Sequence, residues 1–333
     1  MKSMYVVIGC FLFAAIGLNV VSCNDSEAGK GIDESVPVHT PNLFYLDSTK
    51  IPEGKYGDMI RYGRSLMLHT SQLIGPDGTN GHYTNNKMNC TNCHQDGGTK
   101  PYSLNLQTSF RKYPEYRARE GKVLTLAERI NNCIMHPHLG KPLPLDGKEM
   151  IAFMSYLKWI SDSSHVAMNT PGVKNVDIVL PDSAASSARG KQLFYAHCAR
   201  CHGQNGEGVM RPDNVDYVYP PLWGPKSYQP GSSMHRVIKM AQWLVANMPH
   251  DSATHLKPVL TSAQALDIAA FVNDDAIHQR PKVDEFQYPN AEEKAIDYDR
   301  GPFADTFSTF QHKYGPYPPI IEYWKAKGKK VAY

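Results

Sequence analysis

Two copies of the pattern Cys-x-x-Cys-His constrain this chain more than any other feature. They are Cys90-Thr91-Asn92-Cys93-His94 and Cys198-Ala199-Arg200-Cys201-His202. In such a motif two thiols can add across the two vinyl groups of a haem, while the adjacent imidazole reaches the iron. One motif could be accidental or bind zinc, but two favour covalent haem attachment. The sequence therefore predicts two covalently bound haem c groups, with His94 and His202 as iron ligands.

The N-terminus has the pattern of an export signal. Met1 and Lys2 precede an apolar run from Tyr5 to Val21 that has no charged stop-transfer flank after it, although a membrane-spanning helix is the alternative. The run ends at Cys23 in a sequence that resembles the lipobox of bacterial lipoproteins. Residues 1-22 are therefore predicted to be a lipoprotein signal peptide and 23-51 a polar tether. The mature protein is expected to be periplasmic and lipid-anchored to a bacterial membrane through Cys23.

The remaining chain is predicted to be all-α, with two cytochrome c-like haem modules, a linker and an irregular C-terminal tail. A length of 333 residues with 41% hydrophobic content suits two modest domains. Gly190 and Phe194 fit the close helix crossing of small cytochromes c. Helical patterns run over 56–69, 124–133, 148–160 and 187–198. The predicted boundaries are 52-161 for the first module, 162-184 for the linker, 185-276 for the second module and 277-333 for the tail.

The charge pattern argues against nucleic acid and for a local anion site. The formal net charge is only +3, and no Lys and Arg run is interleaved with aromatic residues. Basic residues outnumber acidic ones from Phe110 to Lys141, where Arg119 and Arg129 precede Cys133. The guanidinium group of arginine can bind an oxyanion through two parallel hydrogen bonds. In the alternative interpretation, these basic residues only form a solvated surface. No nucleic-acid partner is expected.

Each haem iron needs a sixth ligand or an open position, and Met248 is the candidate for the second haem. Ser233 is predicted to cap a helix that carries Met248 at its end, and Pro249 stops that helix. Three other methionines are possible ligands: Met210, Met234 and Met240. Met210 lies in a glycine-rich loop, and the other two suit a packing role.

Cys133 is the candidate sixth ligand of the first haem. In the alternative interpretation the thiol is simply buried and the iron binds Met135, His136 or His138. A lone thiol in an oxidising compartment is, however, exposed to disulfide exchange and overoxidation. Coordination as a thiolate would give it a role and would lower the reduction potential of the first haem below that of a His/Met haem.

In several longer segments, within and outside the two haem motifs, the chain resembles the dihaem thiosulfate dehydrogenase family. Members oxidise thiosulfate to tetrathionate, and some also catalyse the reverse reaction. The resemblance covers nearly all of the mature chain. It rests on the segments 62–64, 89–94, 113–122, 128–131 before Cys133, 140–143, 297–298, 301–305 and 311–316.

The resemblance implies that His94 and Cys133 hold the catalytic haem, that His202 and Met248 hold the electron-transfer haem, and that Arg119 and Arg129 position the substrate. Electrons would pass to a cytochrome c or similar acceptor. This chain departs from the family pattern at two places. In the segment 136–139, members commonly have Arg-Ser and a later Asn. At the position of Asn247, some members have a lysine that can replace methionine as the iron ligand. The alternatives are a tetrathionate reductase, a dihaem electron-transfer cytochrome without its own substrate, and a dihaem peroxidase.

Overall fold

The computed structural model describes residues 43–281, 287–331 and 333. The predicted signal peptide, Cys23 and most of the predicted tether lie outside these residues. The described chain is rich in helices with two short β-hairpins, so the all-α prediction is confirmed. Within the described ranges, no helix has both the length and the apolar character needed to cross a membrane.

The first module contains six helices and one hairpin. They are α1 (Gly54–Leu68), α2 (Thr70–Ile74), α3 (Gln95–Gly98), α4 (Ser109–Lys112), β1 (Glu115–Arg117), β2 (Lys122–Leu124), α5 (Leu126–Met135) and α6 (Lys148–Asp162). α5 begins where it does because Thr125 and Glu128 form a capping box: the Thr125 hydroxyl accepts from the Glu128 amide at 3.2 Å, and the Glu128 carboxylate accepts from the Thr125 amide at 2.8 Å. This cap fixes the start of the helix that carries Arg129 and Cys133.

The second module contains four helices and a second hairpin. They are α7 (Ser187–His197), α8 (Ala199–His202), β3 (Val209–Met210), β4 (Tyr217–Tyr219), α9 (Val237–Asn247) and α10 (Ser262–Val272). The prediction that Ser233 caps α9 is wrong. Ser233 begins a separate 3-10 turn, Ser233–His235, which the Ser232 side chain caps, and α9 follows from Arg236 without a side-chain cap.

The two modules repeat one helix crossing. A Cβ atom built at Gly190 of α7 would lie 1.8 Å from the Asp267 carbonyl oxygen of α10, and one at Gly63 of α1 would lie 2.0 Å from the Ala152 carbonyl oxygen of α6. Only glycine permits backbones to approach this closely. The close crossing predicted at Gly190 is therefore confirmed, and Gly63 is its counterpart in the first module.

Each crossing lies in its own hydrophobic core, and hydrogen bonds join the two modules. Met150 of α6 is 1% exposed and packs in the core of the first module. Between the modules, Asn89 donates to the buried Asp216 carboxylate at 2.6 Å, and Gln229 donates to the Met135 carbonyl at 2.6 Å. All described residues of both modules belong to one compact unit.

The C-terminal tail, predicted to be irregular, contains two further helices, α11 (Thr309–Tyr314) and α12 (Pro318–Ala326). The buried His312 ring lies 2.9 Å from the Ile296 carbonyl oxygen and 3.0 Å from the Asp305 carboxylate. Asp305 also accepts from the Trp324 indole at 3.0 Å. These bonds join separate parts of the tail to one another, and Tyr317, Ile320 and Trp324 pack the tail into the core of the second module.

Candidate functional site

The first three residues of the first Cys-x-x-Cys-His motif form a 3-10 turn, Cys90–Asn92, which ends at Cys93, the residue before His94. The His94 Nδ1 atom lies 2.6 Å from the Leu104 carbonyl oxygen. Because a carbonyl only accepts, Nδ1 must carry the proton, which leaves the Nε2 lone pair available for a metal. This arrangement is the usual way in which a protein orients a histidine ligand.

Cys133 lies beside His94 and has an unusual electrostatic environment. The Arg129 Nη1 atom donates to the Cys133 Sγ atom at 3.2 Å, one turn away on α5. Burial raises the pKa of Cys133, but the Arg129 charge, the neighbouring His94 and the Arg119 charge together lower it to about 6. The fold therefore stabilises a thiolate at Cys133.

Arg119 contributes its charge from a different position. Its guanidinium donates to the Gly231 carbonyl at 2.7 Å and to the Ser233 hydroxyl at 3.3 Å, both in the second module. Its Nε atom lies 3.5 Å from the Glu120 carboxylate, and its side chain is only 12% exposed. The structure thus places Arg129 on the thiol and Arg119 at the contact between the modules.

The alternative ligands near Cys133 make other contacts. The His136 ring lies 2.8 Å from the Asn132 carbonyl oxygen and 3.2 Å from the Gln287 amide. His138 is 3% exposed, and its Nε2 atom lies 3.7 Å from the Cys90 Sγ atom. Burial and the nearby His94 lower the pKa of His138 to about 4, so its ring is neutral at physiological pH. Cys133, for its part, has the Arg129 guanidinium within hydrogen-bonding distance.

The second motif lies on a cavity of about 560 Å³, a volume typical of cofactor sites. Cys198, Cys201 and His202 line it, and the His202 Nδ1 atom lies 2.8 Å from the Pro220 carbonyl oxygen. The same wall includes Thr91, Asn92 and Cys93 of the first motif. The two motifs therefore meet across one cavity.

Four methionines line this cavity, Met88, Met234, Met240 and Met248, whereas Met210 does not. The Met240 sulfur already accepts from the Asn273 amide at 3.4 Å. Met248 follows directly after the last residue of α9 and is partly buried. Its thioether thus stands at a helix end facing the same space as His202.

The residues present fit two c-type haems. Each motif offers two cysteines outside any disulfide, and each histidine has its Nδ1 atom fixed by a carbonyl so that Nε2 is available. The chemistry that such groups supply is one-electron oxidation and reduction. A thiolate and a guanidinium beside one of them provide a sulfur nucleophile and an anion contact.

Two residues of α9 contact the first motif or the loop that follows it, and local sequence patterns did not predict these contacts. Trp243 donates from its indole to the Cys93 carbonyl at 3.2 Å, and Asn247 donates to the Tyr102 carbonyl at 3.1 Å. A tryptophan and an asparagine in an apolar helix are typical of packing and helix ends. Only the three-dimensional arrangement brings them to a segment about 150 residues earlier in the chain.

Comparison with known proteins finds a cytochrome c domain in each module. Residues 80–166 match the family described as SoxA/TsdA, cytochrome c domain, and residues 187–274 match the family described as Cytochrome c. The chain is 32% identical to thiosulfate dehydrogenase of Stutzerimonas stutzeri, over 82% of this chain and 82% of that protein. It is 33% identical to thiosulfate dehydrogenase of Thiomonas intermedia, over 81% and 83%.

A solved structure, thiosulfate dehydrogenase (TsdBA) of Marichromatium purpuratum in its as-isolated form, is also similar. Its TM-score is 0.65 at 31% identity. The match covers 78% of this chain and spans 53% of that longer one.

Proposed function

This chain belongs to the thiosulfate dehydrogenase family of dihaem cytochromes, and we propose that it oxidises two thiosulfate ions to one tetrathionate ion. It carries two covalently bound c-type haems, attached at the two Cys-x-x-Cys-His motifs. The observation that carries the proposal is the partly buried pair of Arg129 and Cys133, at 3.2 Å, beside His94. An electron-transfer cytochrome without its own substrate has no need of a stabilised thiolate next to a haem ligand.

Four residues would provide the axial ligands. His94 and Cys133 would hold the first haem, and His202 and Met248 the second. A thiolate ligand donates electron density to ferric iron and lowers the reduction potential, whereas a methionine raises it. Electrons would therefore move from the first site to the second with a favourable difference in potential.

The substrate would bind where the positive charge meets the thiolate. Thiosulfate is a dianion, so two of them repel each other and also repel Cys133. Arg129 offsets this repulsion by its direct contact with the sulfur, and Arg119 offsets it through its charge. Both guanidinium groups lie in a partly buried site, where charges interact more strongly than in water.

Cys133 would take part in the reaction as a nucleophile that is regenerated at the end. The Cys133 thiolate and one thiosulfate form a cysteine S-thiosulfonate and release two electrons, which the haems accept one at a time. A second thiosulfate then attacks the outer sulfane sulfur, which forms tetrathionate and returns the Cys133 thiolate. No proton is needed at either step, which suits a thiol whose pKa is lowered to about 6.

The electrons would leave through the second haem to a cytochrome c or similar acceptor. Thr91, Asn92 and Cys93 of the first motif line the same cavity as His202, which supports a short path between the haems. The apolar N-terminus and Cys23 support export to the periplasm with a lipid anchor, although they lie outside the described residues. Labelling with radioactive palmitate, compared between the native chain and Cys23→Ala, tests the anchor.

The Cys133→Ser variant tests the catalytic role. Serine is nearly the same size but is a poor ligand for haem iron and cannot form the sulfur–sulfur bond, so thiosulfate oxidation should fall to background. Both haems should remain attached, as measured by the haem-to-protein absorbance ratio. The matched control is Ser71→Ala, which changes a buried hydroxyl that bonds the Val215 carbonyl at 2.6 Å. Full activity in Cys133→Ser would remove Cys133 from the mechanism.

The same site could run in the reverse direction as a tetrathionate reductase. The two directions share every residue named above, and they differ only in the reduction potentials and in the rates. Steady-state rates with thiosulfate and an oxidised acceptor, compared with tetrathionate and a reduced donor, rank them.

A further inference from the structure

We propose that Trp243 and Asn247, on the helix that ends at the Met248 ligand, clamp the loop that orients the His94 ligand of the other haem. They would act as positioning residues that tune the first haem from the second module. The inference rests on ligation of the first haem by His94, as proposed above, but does not depend on thiosulfate being the substrate.

The clamp consists of side-chain bonds from α9 to the loop 93–104. The Trp243 indole N–H donates to the Cys93 carbonyl at 3.2 Å, and the same carbonyl accepts from the Ser103 hydroxyl at 3.1 Å. The Asn247 amide donates to the Tyr102 carbonyl at 3.1 Å and to the Trp243 carbonyl at 2.9 Å. Trp243, Asn247 and Ser103 are at most 6% exposed, so water does not compete for these bonds.

The loop itself is held in a costly conformation. Tyr102 and Leu104 have φ values of 57° and 51°, in the left-handed region that bulky side chains rarely adopt. Such conformations are energetically unfavourable and persist only where their surroundings hold them. The carbonyl of Tyr102 is held by Asn247, and the carbonyl of Leu104 is the acceptor for His94.

The clamp therefore acts on the haem ligand through the Leu104 carbonyl. A strong bond from the His94 Nδ1–H group makes the imidazole a better donor to ferric iron, which lowers the reduction potential. If the loop relaxed, the Leu104 carbonyl would move away from its 2.6 Å contact with Nδ1. The potential of the first haem would then rise, although the side chains of Trp243 and Asn247 donate to Cys93 and Tyr102 rather than to His94.

Asn247→Leu and Trp243→Phe test the clamp in the haem-loaded protein. The Asn247 Oδ1 atom is buried and has no hydrogen-bond partner among the described residues, so leucine removes only the donor. Phenylalanine likewise removes the indole N–H. We expect both variants to shift the reduction potential of the first haem upward in a spectroelectrochemical titration, and to change its low-spin ferric EPR signal.

The control is Gln242→Leu, a buried residue of the same helix whose amide oxygen accepts from Lys239 and Asn175 instead. It should leave the first potential unchanged. Lower thermal stability in Asn247→Leu and Trp243→Phe with an unchanged potential and EPR signal would overturn the proposal and leave a packing role. The redox titration contains no sulfur anion, so its result does not depend on the substrate. If the native protein did not oxidise thiosulfate, that result would count against the proposed function alone.

Discussion

The helix crossing at Gly190 makes a quantitative prediction about the second haem module. In Gly190→Ala the new Cβ atom would lie 1.8 Å from the Asp267 carbonyl oxygen and 2.8 Å from the Phe271 Cβ atom. α7 and α10 would have to separate by roughly 1.5 Å to reach an ordinary contact distance. The obstacle is backbone inside a helix, so it cannot move away as a flexible side chain would.

The expected cost follows from two opposing terms. Overpacking costs about 1–3 kcal/mol, and the upper end applies here because backbone meets backbone. Alanine in place of glycine inside a helix returns about 1 kcal/mol. The net loss should be about 2 kcal/mol, increased if the separation also weakens the bonds from Arg189 to Asp267, which measure 2.7 and 2.9 Å.

Guanidinium unfolding of the haem-loaded protein, followed by circular dichroism and haem absorbance, measures this loss. The control is Gly301→Ala, where the nearest neighbours of the new Cβ atom are at 3.8 Å, an ordinary contact distance. Gly63→Ala should resemble Gly190→Ala, because its Cβ atom would lie 2.0 Å from the Ala152 carbonyl oxygen. A Gly190→Ala protein within about 0.5 kcal/mol of the unmodified one would refute the reasoning.

Three further predictions concern the sites and the tail. In Arg129→Met the pKa of Cys133 should rise from about 6, because the largest contribution that lowers it is lost. The thiolate then forms only at higher pH, so the acid limb of the pH–turnover profile should move to higher pH. An acid limb that does not move would contradict the role of Arg129. Met248→His should lower the reduction potential of the second haem, since a methionine ligand raises it, and an unchanged potential would point to another ligand. Asp305→Ala removes the acceptor of both His312 and Trp324 and should cost about 2–3 kcal/mol, measured by thermal unfolding; an unchanged transition would show that the tail does not depend on this contact.

Local patterns in the sequence predicted the helices that carry the motifs. The apolar stripe at 148–160 became α6, Lys148–Asp162, and the segment 187–198 became α7, Ser187–His197, because caps and side-chain periodicity act within a few residues. The predicted cap at Ser233 failed because Ser232 caps a 3-10 turn that ends before α9 begins. In the tail, α12 begins at Pro318, a start that proline favours, but the helix is too short and too aromatic for its periodicity to be recognised.

In the candidate site too, local features could be predicted from the sequence and long-range contacts could not. The haem-attachment residues and the spacing of Arg129 and Cys133 within one helix are local, so the sequence placed them together. The contacts of Arg119 with Gly231 and of Trp243 with Cys93 join residues more than 100 positions apart. Such contacts depend on how the two modules pack, which no local pattern encodes.

The proposed thiosulfate oxidation is tested most directly by mixing the oxidised, haem-loaded protein with thiosulfate under anaerobic conditions. The haem absorbance bands report reduction, and ion chromatography reports tetrathionate. The account predicts haem reduction in the native protein, with one tetrathionate formed for every two thiosulfate ions consumed once an acceptor is added. Native protein that stays oxidised, or that reduces without forming tetrathionate, would contradict it.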